Sequence, residues 1–395
     1  MLQPQWRSHT GFASLRSDAT TQAVDRAEGI LSLHIMPSRT LARATSPRMS
    51  NSAAQADHAL DSLAARLLAG EPVDPERAAR EAMRRRLAGL FLLAVARGTP
   101  AADVRPATRT DLQRAAAREM AADLAAAEGQ TRVLDLLGEQ GLTPLVLKGP
   151  LLAQAVWPAG VARPAGDFDV LFDEAGFAAA AAVLLRAGFR ETTGPRRFLL
   201  REARTQITLA SPPELPRCVV DLHRLLHGKM GRRSDTRLVL GRALPRALLR
   251  RPVLELEPGD QLVFLCAHAS VHGLCRLVQV LDLFGMATRT SAAVWDRAAG
   301  IACATGLERS FWAAAHVIAE LPGVDRDSMA GALDRTRPPQ PVCRRIQRVV
   351  NLSRAVREVA PSRWEKYLLY WSLEPSLTSN LRRALGVVER LARGG

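Results

Sequence analysis

Apolar residues recur at helical spacing from Ala54 to about Arg97, with Leu60, Leu63, Ala64, Leu67 and Leu68 on one face. Gly70-Glu71-Pro72 breaks the pattern, and Asp74-Pro75 restarts it as an N-cap acid followed by proline at the first helical position. A long helix is predicted from Thr110 to Gln140, closed at Gly141. The period then shortens. Pro144–Leu147 reads as a short apolar strand, Pro150–Val156 as a helix, Phe168–Phe172 as a strand, and Glu174–Ala187 as an alanine-rich helix ending at Gly188. Runs at Arg197–Arg201, Gln206–Leu209 and Cys218–Leu222 read as further strands, with Ser211-Pro212-Pro213 as a turn. Helical spacing returns from Gly259, over Asp260–His272, Leu274–Thr290, Val294–Thr305 and Glu308–Glu320. Beyond a break at Pro338-Pro339, helices are predicted over Val342–Glu358 and Arg363–Arg393. No internal repeat is detectable.

The expected class is α+β (mixed α/β), with a short mixed sheet between N- and C-terminal helical segments. The expected organisation is a disordered leader over 1–55, a helical segment over 56–140 and an α/β module over 141–228. A helical segment over 229–325 would complete the site, followed by C-terminal helices over 326–395. The leader is rich in Ser, Thr, Arg and Gln and lacks the basic, apolar and small-residue succession of a signal peptide. Met36 and Met49 lie within it, so a start downstream of Met1 also fits.

Bulk composition narrows the function classes only a little. With 395 residues and 47% apolar content the chain can bury a substantial core. No apolar run approaches the roughly 20 residues a membrane helix needs, and the longest, Leu87–Ala96, reads as a core helix. The five cysteines show no CxxC pair and no zinc spacing, which suits reduced, mostly buried thiols and a cytoplasmic location. The net charge of +15 favours phosphorylated partners. Lysine supplies only three of the basic residues (Lys148, Lys229 and Lys366), so the charge is arginine scattered along an alanine-rich chain rather than one basic stripe with interleaved aromatics. A basic nucleic-acid-binding protein is therefore a rival supported by charge alone.

The chemistry concentrates in two segments, Lys148-Gly149-Pro150 and Gly166-Asp167-Phe168-Asp169-Val170-Leu171-Phe172. Gly149 after a strand allows close approach of a ligand to the backbone, and Pro150 presets the helix whose free N–H groups would face a phosphate. Lys148 adds a positive charge there. On a strand, Asp167 and Asp169 project to one face while Phe168, Val170 and Phe172 face the other. Paired carboxylates on a core strand repel each other unless a cation lies between them, and an oxygen-only set suits Mg²⁺ or Mn²⁺ bound with substrate phosphates. Asp221, in Val219-Val220-Asp221-Leu222-His223, is the third acid. Three carboxylates on neighbouring strands can hold two divalent ions roughly 3.5–4 Å apart. One ion would bridge a triphosphate, and the other would acidify an acceptor hydroxyl with Asp221 as ligand and proton acceptor. The bland alternative leaves all three acids solvated at strand ends.

Leu147-Lys148-Gly149, Trp157-Pro158, Arg163, Asp167-Phe168-Asp169 and Val220-Asp221-Leu222-His223 together resemble the uncharacterised nucleotidyltransferase family found in many bacteria, a branch of the polymerase-beta-type superfamily. The resemblance extends through Ala267-His268, His272 and Arg276–Asp282 and covers roughly residues 110–290. It implies a polymerase-beta-like module that transfers a nucleoside monophosphate from an NTP, ATP among the candidates, to an acceptor with Mg²⁺. The acceptor is open: a small molecule, a peptide, a protein side chain or an RNA end. Carried over, Asp167, Asp169 and Asp221 are the metal and catalytic acids, and Gly149 is the phosphate-loop glycine. Lys148, Arg163, His223, His268 and Arg276 are expected to contact the nucleotide. Gly149-Pro150 replaces the superfamily's usual Gly-Ser or Gly-Gly, which removes a phosphate-binding hydroxyl. For Arg163 and Arg276 the alternative is an ion pair with one of the acids. His268 and His272 have the i, i+4 spacing of a zinc pair, but no Glu follows His268. They are read instead as packing toward the site, bonded to Asp282 or to nucleotide. A catalytically inactive nucleotide- or partner-binding module of the same fold is the leading rival.

Overall fold

A computed structural model describes residues 51–69, 73–192, 205–226 and 236–374. The strand expected at Arg197–Arg201 lies outside the described residues, as do residues 1–50 of the expected leader and the continuation of the last helix toward Arg393. The last residues of that leader belong to the first helix, α1 (Asn51–Ala69).

The N-terminal helical run is three helices: α1, α2 (Pro75–Arg84) and α3 (Ala88–Ala96). Asp74 caps α2 by accepting the Arg77 N–H at 3.0 Å, the role its place before Pro75 predicts. The break before α3 was not visible in the hydrophobic pattern, because no glycine or proline marks it. The start of α3 is capped from a distance instead. Glu119, buried on the long helix α4 (Pro106–Gly138), accepts the N–H groups of Ala88 and Gly89 at 3.1 and 3.2 Å. Burial raises the pKa of this carboxyl above the ordinary glutamate value, against the pull of those two donors.

The sheet has seven strands in the order β3-β4-β5-β2-β1-β7-β6. These are β1 (Leu145–Val146), β2 (Phe168–Leu171), β3 (Arg190–Glu191), β4 (Gln206–Ala210), β5 (Val219–His223), β6 (Leu244–Leu248) and β7 (Arg251–Glu255). The sheet is mixed: β1 runs parallel to β7 and β2 parallel to β5, and the other neighbours are antiparallel. Two helices interrupt the early strands, α5 (Pro150–Val156) after β1 and α6 (Glu174–Arg186) after β2. The α+β class and short mixed sheet therefore match the sequence pattern. The β6–β7 hairpin and the short edge strand β3 were not expected.

Alternation along β4 and β5 decides which side chains are buried. Ile207, Leu209, Val220 and Leu222 point into a core with Phe168 and Val170 of β2, Val133, Leu134 and Leu137 of α4, and Val183 and Leu184 of α6. Gln206, Thr208, Asp221 and His223 consequently line the opposite face. Gly129 lets α4 cross this core closely, since a Cβ there would stand 2.8 Å from the Cys218 Cβ.

A second core joins α1–α3 to the helices after the sheet. These begin with α7 (Thr236–Arg242), α8 (Pro258–Val271), α9 (Leu277–Ala287), α10 (Ala292–Thr305) and α11 (Glu308–Ala319). They continue as α12 (Arg326–Thr336), α13 (Gln340–Val349), α14 (Leu352–Arg357) and α15 (Arg363–Leu373). The helix expected over Val342–Glu358 is two helices. Asn351 takes an extended backbone and caps the second by accepting the Arg354 N–H at 3.1 Å. No helix among the described residues is long and apolar enough to cross a membrane.

Candidate active site

Between the polar face of β2, β4 and β5 and the facing surface of α8 lies a cleft of about 220 Å³. The sheet side carries Lys148, Asp167, Asp169, Gln206, Asp221 and His223. The helical side carries Phe264, His268, His272, Arg276 and Gln279. Seven of the nine residues expected to act thus line one space, and Gly149 and Arg163 lie outside the lining.

Strand register builds the acidic centre. In the parallel pairing of β2 with β5, Asp169 stands directly opposite Asp221 and Leu171 opposite His223. On β4, Gln206 pairs with His223 and Thr208 with Asp221. Because strand side chains alternate, Asp221 and His223 share a face, and Asp169 points the same way. The His223 Nε2 is 3.1 Å from Asp169 Oδ1, and Gln206 donates to Asp221 Oδ2 at 2.8 Å. Asp169 is 3% exposed. Asp167, one residue before β2, is more open, with 38% of its side chain exposed.

Lys148 sets the electrostatics. The Leu147 N–H bonds the Asp169 carbonyl at 3.1 Å, and the Leu147 carbonyl accepts from Gln261 of α8 at 3.2 Å, which fixes the strand end from both sides. The next residue then delivers its ammonium 3.1 Å from Asp169 Oδ2 and 3.6 Å from Asp167 Oδ1. Burial opposes the charged lysine, but the two carboxylates hold its pKa above the ordinary value. Burial likewise opposes the Asp169 carboxylate, yet the His223 hydrogen bond and the Lys148 charge hold its pKa at about 2. Asp167 shifts the other way, raised by burial and then by repulsion from Asp169.

In the cleft, Asp221 Oδ1 is a buried carboxylate oxygen with no hydrogen bond among the described residues, and Asp169 Oδ2 has only the Lys148 ammonium, 3.1 Å away. Buried acceptors are ordinarily satisfied, so the unfilled Asp221 oxygen beside the Asp169 carboxylate fits a divalent cation. Asp169, Asp221 and His223 can each offer a ligand atom within 4.8 Å of the others. Asp167 is not in that group. No other such group occurs among the described residues, His268 and His272 included.

Gly149 forms the expected turn into α5, with φ +75° and ψ −125°, a conformation that only glycine adopts without strain. No atom stands within 4 Å of where its Cβ would be, so the backbone is open to a ligand. Arg163 is engaged elsewhere. Its Nε and Nη2 donate to the two oxygens of Asp282 on α9 at 2.8 and 2.7 Å, and the Trp157 Nε1 donates to Asp282 Oδ1 at 2.9 Å. This is the ion-pair alternative for Arg163, with Asp282 rather than a strand acid as the partner. It clamps the loop after α5 to α9. Arg276 opens α9 at the cleft and is exposed.

The rings of Phe264, His268 and His272 succeed one another along α8, with centroids 5.8 and 4.8 Å apart. Gln206 and Gln279 were not foreseen in the site. The signal for Gln206 was its place on the polar face of an alternating strand, out of phase with Ile207 and Leu209. For Gln279 it was the i, i+3 step from Arg276.

Residues 71–323, more than half of the chain, match the model of a family described as uncharacterised nucleotidyltransferase, and the chain belongs to that family. The match reaches beyond the 110–290 stretch of the sequence resemblance at both ends. No curated protein and no solved structure matches the chain.

Proposed function

We propose that this member of the uncharacterised nucleotidyltransferase family transfers a nucleoside monophosphate from an NTP to a hydroxyl or phosphate acceptor, using a polymerase-beta-type module and a divalent metal. The observation that carries this reading is the pairing of Asp169 with Asp221 across parallel strands, with a buried unpartnered oxygen on Asp221, beside a buried lysine in one cleft. Asp169, Asp221 and, at the rim, Asp167 would hold Mg²⁺ or Mn²⁺. When bound, the metal supplies charge neutralisation at the triphosphate and acidifies the acceptor hydroxyl.

The chain's own groups do the rest. Lys148 lies where it can turn from the carboxylates to phosphate oxygens, and the open turn at Gly149 lets the backbone N–H groups at the start of α5 approach the same phosphates. Arg276 meets the outer phosphates, and His223 and His268 orient the nucleotide. In the transfer, the acceptor oxygen bonds to the α-phosphorus as the bond to the α–β bridging oxygen breaks. Pyrophosphate leaves, and the acceptor proton passes to Asp221. Rate enhancement comes mainly from positioning and charge neutralisation. The acceptor is a small molecule, a peptide, a protein side chain or an RNA end, and the reaction takes place in the cytoplasm.

One observation favours a second reading. Lys148 and His223 both stand 3.1 Å from Asp169, so its charge is already compensated without a metal, as in a binding module that has lost turnover. Calorimetric titration of ATP, GTP, CTP and UTP, with and without Mg²⁺, separates the two. The variants are Asp167→Asn/Asp169→Asn and, as a milder change, Asp221→Asn. Metal-dependent binding of an NTP that both variants lose supports the enzyme. Metal-independent binding that they retain favours the inactive module. No NTP binding by folded wild-type protein overturns both readings.

A further inference from the structure

We infer that His223 is a direct ligand of the divalent ion, completing an Asp169–Asp221–His223 set that prefers Mn²⁺ to Mg²⁺. The inference rests on the metal-dependent reading above and deepens it, because the acids alone describe an all-oxygen site.

Three observations converge. His223 lies two residues beyond Asp221 on β5 and shares its face, and it reaches across to Asp169 on β2. Its Nε2 stands 3.1 Å from Asp169 Oδ1. Neighbouring ligands of an octahedral ion, at about 2.1 Å from the metal, are about 3.0 Å apart, so this pair already has the spacing of adjacent ligands. Asp221 brings a buried oxygen with no hydrogen-bond partner, and one ligand atom from each of the three residues falls within 4.8 Å of the others. Asp167, the remaining acid of the expected metal set, is the more exposed one, and Lys148 stands 3.6 Å from it.

Asp169 divides its two oxygens between different neighbours. Lys148 faces Oδ2 and His223 faces Oδ1. An ion held between Oδ1, the imidazole and Asp221 therefore leaves Lys148 in place for phosphate. As a ligand, the neutral imidazole would offer its Nε2 lone pair to the ion and keep its one proton on Nδ1. The nitrogen matters for metal choice. Mg²⁺ favours an octahedron of oxygens and gains little from imidazole, whereas Mn²⁺ accepts mixed oxygen and nitrogen ligands.

The test uses the full-length protein and the metal alone. Mn²⁺ and Mg²⁺ affinities are measured by calorimetry, and pulsed electron paramagnetic resonance of bound Mn²⁺ looks for coupling to a ligand nitrogen. His223→Gln keeps a hydrogen-bond donor toward Asp169, and His268→Gln controls for the histidines across the cleft. The expected result is Mn²⁺ bound at least about tenfold more tightly than Mg²⁺, with nitrogen coupling in wild type and in His268→Gln. His223→Gln should lose that coupling and about tenfold or more in Mn²⁺ affinity, with an unchanged melting curve and little change for Mg²⁺. A purely orienting His223 would not produce nitrogen coupling. Mn²⁺ bound without it, coupling that persists in His223→Gln, or no metal binding by wild type each overturns the inference. An NTP titration of the Mn²⁺-loaded protein separates this result from the reading it rests on. Nitrogen coupling without NTP binding leaves the ligand assignment standing and defeats the transferase. Metal-dependent NTP binding without nitrogen coupling does the reverse.

Discussion

Asp169 and Asp221 face each other as register partners on adjacent parallel strands, with the Lys148 ammonium beside Asp169 and a buried oxygen of Asp221 left without a hydrogen bond. Such an arrangement is held by the strands rather than by mutual attraction. Like charges this close store repulsion that a bound cation removes.

The repulsion predicts opposite effects of one substitution on stability and on binding. Asp221→Asn keeps an oxygen for Gln206 and turns a repelling carboxylate into an amide that can donate toward Asp169. In chelator it should stabilise the fold by about 0.5–1.5 kcal/mol, an increase of roughly 1–2 °C in melting temperature for a chain this long. Adding Mn²⁺ should raise the wild-type melting temperature and leave the variant's unchanged. Thermal melts of both proteins with and without metal check this, and an Asp221→Asn variant less stable in chelator would contradict the repulsion.

The displaced acids also set a pH dependence. The pKa of Asp169, at about 2, lies below that of an aspartate in the unfolded chain. Its contribution is therefore full above about pH 4 and is lost as pH falls from about 4 to about 2. The amount is about 2 kcal/mol. Asp167 has the opposite sign. With its pKa raised, it contributes most while protonated, and that contribution is lost as pH rises through the raised value. Urea unfolding over this pH range should show a steep acid loss in wild type and a flatter one in Asp169→Asn. Asp167→Asn should keep the acid loss and remove the loss on the higher-pH side.

Arg163 and Asp282 make a bidentate pair in which both side chains are almost fully buried. Removing one partner strands a charge, and Asp282→Asn should cost about 3–5 kcal/mol. Replacing both, as Arg163→Met/Asp282→Leu, should recover much of that loss, less the Trp157 hydrogen bond. A double-mutant cycle in urea gives the coupling energy. If the single and double variants lose stability additively, the pair does not act as a unit.

Local chemistry made part of this site legible in the sequence. Gly149-Pro150 specifies a strand–turn–helix because glycine tolerates the positive φ and proline presets the first helical turn. Alternation along Val219–His223 put Asp221 and His223 on one face and Val220 and Leu222 in the core. What sequence could not supply was pairing across distance. Nothing near Arg163 points to Asp282, which lies on a helix 119 residues later. Nor does the Asp-Phe-Asp spacing say that Lys148 divides itself between the two acids while His223 takes the buried one. The β6–β7 hairpin escaped because its turn, Leu249-Arg250, carries none of the usual glycine or asparagine, and both strands contain a proline, Pro245 and Pro252.

That turn offers a prediction independent of the cleft. Leu248 pairs with Arg251, so Leu249 and Arg250 form a two-residue connection, and their φ values are +51° and +62°. Such tight hairpins need left-handed backbone at both central positions, where a side chain costs about 1–2 kcal/mol. Leu249 packs against the sheet core, whereas Arg250 is exposed. Arg250→Gly should therefore relieve the strain without losing packing. Against this stands the greater entropy of glycine in the unfolded chain, which leaves a net gain of about 0.5–1 kcal/mol. The urea midpoint should rise with an unchanged slope. Glycine at Ala247, an exposed strand position without positive φ, should lower it. A lower midpoint for Arg250→Gly would mean that the arginine side chain contributes more than the strained backbone costs.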